Sequence, residues 1–218
     1  MGSGVSPHAW SAGTLNGMAT PDMLPATHEG IADAAARIAN GELVAFPTDT
    51  VHGIGVRRDA PAALERLFEL KGRPAEQRVA WLVRDIDQAR DLGLRVDDHA
   101  ARLAERFWPG GLTLVLADEK GDTLGVRAPN HPTAQALLAL TGPLPTSSAN
   151  RHGEPETYGT DDVLIAFATT DGLAAIVEGR SPGERASSVL DCSGARPKLL
   201  REGAIPRGEL EAVIGPID

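Results

Sequence analysis

Apolar positions along the chain alternate between two spacings from about residue 27 onward. Ile31, Ala34, Ala35 and Ile38 recur at helical spacing, and Gly41 is a C-terminal stop. A short apolar run over 43–46, ended by Pro47, predicts a strand. A second helix follows, with Asp59 as its cap, Pro61 in its first turn and Gly72 past its end. Leu64, Leu67 and Phe68 form its inner face. Residues 79–83 read as a buried strand, and Asp85 and Asp97 as caps of two more helices, the second turning Ala104 and Phe107 inward. Residues 112–117 and 123–127 predict strands separated by a turn-like 119–122. Pro132 opens a helix through Leu140, Asp161 or Asp162 starts another, and Pro206 starts a last one. Further short strands are expected at 144–146, 174–178, 187–191 and 198–201.

Short strands alternating with helices imply an α/β domain: an open twisted sheet with flanking helices. The connection over 117–122 is too short for a crossover, so the sheet is expected to be mixed. No internal repeat and no linker divides the core. Residues 1–26, rich in Gly, Ser, Pro and Ala, are expected to be a flexible leader, with 27–218 a single domain.

Composition narrows the function classes. The chain has 218 residues, 42% hydrophobic and only 4% aromatic, so its core must rely on aliphatic side chains. A net charge of −9 argues against a general polyanion binder and for no tight nucleic-acid binding, while leaving room for a local basic pocket. The lone Cys192 makes no internal disulfide, which fits a reducing, cytoplasmic location. The six histidines show no HxxxH or HExxH spacing, so no protein-held metal is expected. No apolar run approaches the roughly 18 residues that signal a spanning helix, and no membrane association is expected.

Four polar clusters could carry chemistry, each near the end of a predicted element, where α/β sheets bind ligands. PTDTVHG (47–53) can present threonine hydroxyls and backbone N–H groups to a small polar ligand, or be an ordinary turn. KGRP (71–74) can grip phosphates through Lys71 and Arg73, or merely complement a helix C-terminus. VRAPNHP (126–132) places Arg127 at a strand end, suited to a carboxylate or to solvent. PTSSAN (145–150) offers three hydroxyls and an amide, or a serine-rich turn. There is no GxxxxGK[ST] loop and no GxSxG elbow.

Taken in order, these clusters resemble the YrdC/TsaC-like threonylcarbamoyl-AMP synthases. The resemblance rests on PTDTVHG, KGRP, WPGGLTLVL (108–116), VRAPNHP, TSSAN (146–150), SSVLD (187–191) and LREG (200–203), and spans roughly residues 28 to 214. It corresponds to the single-domain form of the family. It implies a YrdC-like fold with a positively charged concave face. It also implies condensation of L-threonine, bicarbonate and ATP to threonylcarbamoyl-AMP with release of pyrophosphate. The product would pass through a transferase complex to adenosine 37 of transfer RNA. ATP is then a substrate, and Mg²⁺ is expected with it.

By the same resemblance, Lys71 and Arg73 match the KxR pair at the ATP phosphates and carry the catalysis. Ser148 and Asn150 match the SxN pair, and Arg201 the RxG arginine, both at the nucleotide. Thr50, Arg127, Thr146 and Ser187 match the threonine subsite, with Arg127 meeting the carboxylate. The chain departs from the family pattern at His52, where an aromatic is usual, and at Arg78, Val79, Leu82, Gly111 and Ala186. The phosphate side is better kept than the amino-acid side. Two other readings are a paralogue that binds nucleotide or RNA without turnover, and an enzyme that adenylates another carbamoyl or amino-acid group.

Overall fold

The computed structural model describes residues 14–15, 18–72, 79–183 and 185–218. A short hairpin, β1 (Thr14–Leu15) with β2 (Met18–Ala19), precedes the main body. The order then runs β3 (Asp22–Leu24), α1 (His28–Ala39), β4 (Leu43–Phe46), β5 (Gly53–Gly55), α2 (Pro61–Lys71) and β6 (Ala80–Leu82). It continues through α3 (Ile86–Asp91), α4 (Asp98–Phe107), β7 (Leu112–Ala117), β8 (Thr123–Arg127), α5 (Pro132–Thr141) and β9 (Leu144–Ser148). It ends with α6 (Thr160–Phe167), β10 (Leu173–Val177), β11 (Ser188–Asp191), β12 (Lys198–Arg201) and α7 (Arg207–Ile214).

Among the described residues, ten strands form one open sheet in the order β12-β11-β7-β8-β6-β9-β5-β4-β10-β3. Pairing is mixed, as the short 117–122 connection requires. β3–β10, β10–β4, β6–β8 and β11–β7 are parallel, and the other five pairs are antiparallel.

Local chemistry explains most boundaries. Thr27 accepts the Gly30 N–H at 3.3 Å and starts α1. Asp85 and Asp97 cap α3 and α4 by accepting the N–H groups of Gln88 and Ala100 at 2.9 and 2.8 Å. Gly72 ends α2 in the left-handed region, at φ +62°. Two expectations change. Asp59 does not cap α2. Ala60 stands at that position without a side-chain bond, and Asp59 is drawn to Arg57 at 2.5 Å. Asp22–Leu24, inside the stretch expected to be leader, forms an edge strand on β10. Leu24 is buried there, which gives the segment an apolar anchor.

Strand alternation sorts the core into two faces. Leu112, Leu114, Leu116, Val126 and Leu190 pack on one face with residues of α3, α4 and α7, and Leu43, Ala45, Ile54 and Ile176 with α2 and α6. Val44, Phe46, Leu144, Ala175 and Val177 pack on the opposite face with α1 and α5. Those two helices cover only one end of that face. Among the described residues, that cluster does not reach β8, β7 and β11, and on this face they line a cleft.

Candidate functional site

This face of the sheet holds a cleft of about 500 Å³. Its floor is set by strand parity. Thr113 and Val115 of β7, and Thr123, Gly125 and Arg127 of β8, all line the cleft, while the intervening leucines and Val126 are core. Ala80, Leu82, Thr146 and Ser148 extend the floor, and Ser187 and Arg201 close the β11–β12 side. The cleft therefore collects residues from both halves of the chain.

Arg127 is a buried charge in that lining, at 5% exposure. The loop after β4 wraps the guanidinium: Nη1 donates to Thr50 Oγ1 at 2.6 Å and Nη2 to Thr48 Oγ1 at 3.0 Å. Asp49 Oδ1 lies 3.3 Å from Nη2 and has no hydrogen-bond partner of its own. Burial pushes the Arg127 guanidinium below its ordinary value, Asp49 opposes that shift, and the like charge of Arg201 adds to it. An arginine so held stays charged. Two guanidiniums that repel one another across a cleft make a place for an anion.

The loop is pinned from behind. The Thr48 N–H donates to Ser181 Oγ at 3.1 Å, and the same hydroxyl meets His52 Nδ1 at 3.0 Å. His52 is fully buried, and its Nε2 has no hydrogen-bond partner. Burial, helped by repulsion from His131 and opposed by Asp162, pushes His52 down to about 4. The imidazole is therefore neutral at physiological pH.

Lys71 meets the turn formed by Ser148 and Asn150. Lys71, the last residue of α2, is buried, and its Nζ donates to the Ser148 carbonyl and, at 2.5 Å, to the Asn150 carbonyl. Ser148 Oγ donates to Asn150 Oδ1 at 2.6 Å, so the turn is internally braced. Arg73, assigned with Lys71 to the phosphates, lies outside the described residues, as does Arg78. On the opposite side, Arg201 Nε and Nη2 donate to the Ser187 carbonyl at 3.1 and 2.8 Å. Ser187 Oγ lies 2.8 Å from Thr113 Oγ1.

Of the residues named from sequence, Thr50, Arg127, Thr146, Ser148, Ser187 and Arg201 line one cleft, and Lys71 and Asn150 adjoin it through Ser148. The strand expected over 144–146 runs on through Ser147 and Ser148, because β9 pairs with β5 as far as Ser148. Thr48, Thr113 and Ser181 received no individual role from the sequence. Thr113 carried a legible signal: a polar residue alternating with Leu112, Leu114 and Leu116. Ser181 had none, since it meets its partners only through the fold. Among the described residues, no group of three His, Cys, Asp or Glu side chains could hold a metal ion. Among them, too, no helix is long and apolar enough to cross a membrane.

The Sua5/YciO/YrdC family model, described as "Telomere recombination", matches residues 36–203. The chain is similar to the threonylcarbamoyl-AMP synthase of Bacillus subtilis, 38% identical over 208 residues, covering 90% of this chain and 60% of that protein. It is similar to the putative threonylcarbamoyl-AMP synthase of Mycobacterium leprae, 34% identical over 197 residues, covering 86% of this chain and 89% of that protein. Among solved structures it resembles P. abyssi Sua5 complexed with L-threonine, with TM-score 0.82, 35% identity and coverage of 90% and 61% of the two chains. It thus spans about 60% of the length of the Bacillus subtilis relative. With a family match over residues 36–203 and the motif residues gathered around one cleft, the chain belongs to the Sua5/YciO/YrdC family.

Proposed function

We propose that the protein is an ATP-using L-threonylcarbamoyladenylate synthase of the nucleotidyltransferase type. It joins L-threonine, bicarbonate and ATP into threonylcarbamoyl-AMP and releases pyrophosphate. The observation that carries this reading is the buried Arg127, held by Thr48 and Thr50 in the same cleft as Ser148, Ser187 and Arg201. A fixed guanidinium fork suits an amino-acid carboxylate, and the neighbouring donors suit a nucleotide. The L-threonine complex of the similar P. abyssi protein supports the choice of amino acid.

The chemistry asks the protein mainly to concentrate charge. The threonine ammonium group gives up a proton, and the free amine combines with bicarbonate to give the N-carboxylate and one water. One carbamate oxygen then attacks the α-phosphorus of ATP, the bond from that phosphorus to the bridging oxygen breaks, and pyrophosphate leaves. Two anions must therefore be held in line, which is a task of positioning and neutralisation. Arg127 orients the carboxylate, with Thr50, Thr146 and Ser187 lining the amino-acid subsite. Lys71 and Arg73 draw the phosphates, and Ser148, Asn150 and Arg201 hold the nucleotide. No side chain needs to act as a nucleophile. Mg²⁺ arrives bound to the ATP phosphates rather than to a protein cage. The reading places the enzyme in the cytoplasm, with a transferase complex taking the product to transfer RNA. Residues 1–26, apart from the edge strand, act as a leader outside the chemistry.

The test is pyrophosphate release from ATP with threonine and bicarbonate omitted in turn. Release should require both and disappear in Lys71→Ala. Robust release without threonine would overturn the reading.

A further inference from the structure

Thr113 has no role in the reading above, yet it lines the cleft. It faces away from the leucine core on β7, between β8 and β11. The β7–β8 register, in which Leu114 faces Val126, puts Thr113 beside Arg127 on one side. The β7–β11 register pairs it with Val189 on the other, next to Ser187. It is 5% exposed and belongs to the cleft lining.

Its hydroxyl is coupled to a cation. Arg201 Nη2 donates to Ser187 Oγ at 3.3 Å, and Ser187 Oγ lies 2.8 Å from Thr113 Oγ1. A guanidinium can only donate, so Ser187 accepts from it. That contact polarises the serine hydroxyl and makes it the better donor of the pair. With Ser187 as the donor to Thr113 Oγ1, Thr113 keeps its own proton to donate. The two hydroxyls hold two protons and use one between them, so one is left for a ligand. Around it stand Arg127 and Arg201, which repel one another and favour an anion between them.

We infer that Thr113 is a direct binding residue whose hydroxyl, oriented by the Arg201–Ser187 chain, donates to an anionic oxygen of the ligand held between Arg127 and Arg201. Resting on the synthase reading, this oxygen belongs to the amino-acid carboxylate, the carbamate or the α-phosphate, where the two substrates meet.

The experiment compares wild type with Thr113→Val, Thr113→Ser, Ser187→Ala and the Thr113→Val/Ser187→Ala double variant. Calorimetric titrations with L-threonine and with ATP accompany threonine-dependent pyrophosphate release. Thr113→Val is expected to lower kcat/KM or one of the two affinities roughly ten- to hundredfold, the range for a hydrogen bond to a charged group. Thr113→Ser should restore it to within about threefold, since only the hydroxyl is needed. The double variant should be worse than Ser187→Ala alone. A Thr113→Val enzyme with both affinities and kcat/KM within twofold of wild type would overturn the proposal. So would a lowered melting temperature as the sole effect, failure of serine to rescue, or a double variant equal to Ser187→Ala. If wild type binds ATP or threonine without turnover, the synthase reading fails by itself. The affinities of the same variants then decide the Thr113 assignment.

Discussion

Arg127 Nη1 stands 2.6 Å from the Thr50 hydroxyl, a contact between residues 77 apart in sequence. With Thr48 on Nη2, it turns a strand-end arginine into a buried, oriented fork. Lysine cannot reproduce that arrangement, because one ammonium does not reach two hydroxyls and Asp49 in one plane. Arg127→Lys should raise the KM for threonine roughly ten- to hundredfold. Arg127→Ala leaves the buried Oδ1 of a partly exposed Asp49 without its counter-ion and should also lose roughly 1–3 kcal/mol of stability. Steady-state kinetics and urea denaturation check the two effects separately.

Lys71 joins two motifs by donating to the carbonyls of Ser148 and Asn150. Removing it both loosens the SxN turn and subtracts a positive charge. Lys71→Ala should weaken ATP binding and pyrophosphate release at least about tenfold, read by calorimetry and a coupled assay. The same direction is expected for Arg73→Ala.

His52 links stability to pH. Its folded value is about 4, against the ordinary 6.5. Between those values the unfolded chain binds more protons, so stability rises with pH across the window. The contribution is fully present above about pH 6.5 and is lost as pH falls toward 4, a span of about 3 kcal/mol. His52→Gln should flatten that slope in denaturation curves taken at several pH values. An unchanged slope would assign the effect elsewhere.

Cys192 is buried, and burial together with Asp97 and Asp191 pushes its thiol up to about 12. The thiolate is the reactive form, so iodoacetamide at mildly alkaline pH should modify the native protein at least about tenfold more slowly than the denatured one. Mass spectrometry of timed samples measures the ratio.

Periodicity was a good guide wherever an element was long or bounded by strong stops. The run Leu112–Ala117 and the strand ending at Arg127 appear with the expected limits. β5 escaped notice, since Gly53-Ile54-Gly55 has no apolar run and two residues of poor strand propensity. The reason lies in packing: a Cβ on Gly53 or Gly55 would come within 2.7 Å of Thr146 Cγ2 or Leu144 Cδ2. β3 was hidden because three residues joined to a distant strand leave no local signature. The site was legible as motifs in order, whereas its wiring was not. That Ser181 would lie behind Thr48, 133 residues away, depends on the fold alone.

The strand order has a final consequence. Neighbours around the cleft, such as β7 and β11 or β5 and β9, are far apart along the chain, so the site exists only once the whole sheet has assembled. A ligand spanning Arg127 and Arg201 would therefore tie together four neighbouring strands, β8, β7, β11 and β12, drawn from two separate stretches of the chain. Its occupancy should raise the melting point of the complete chain as one cooperative unit, in proportion to the logarithm of ligand concentration above saturation.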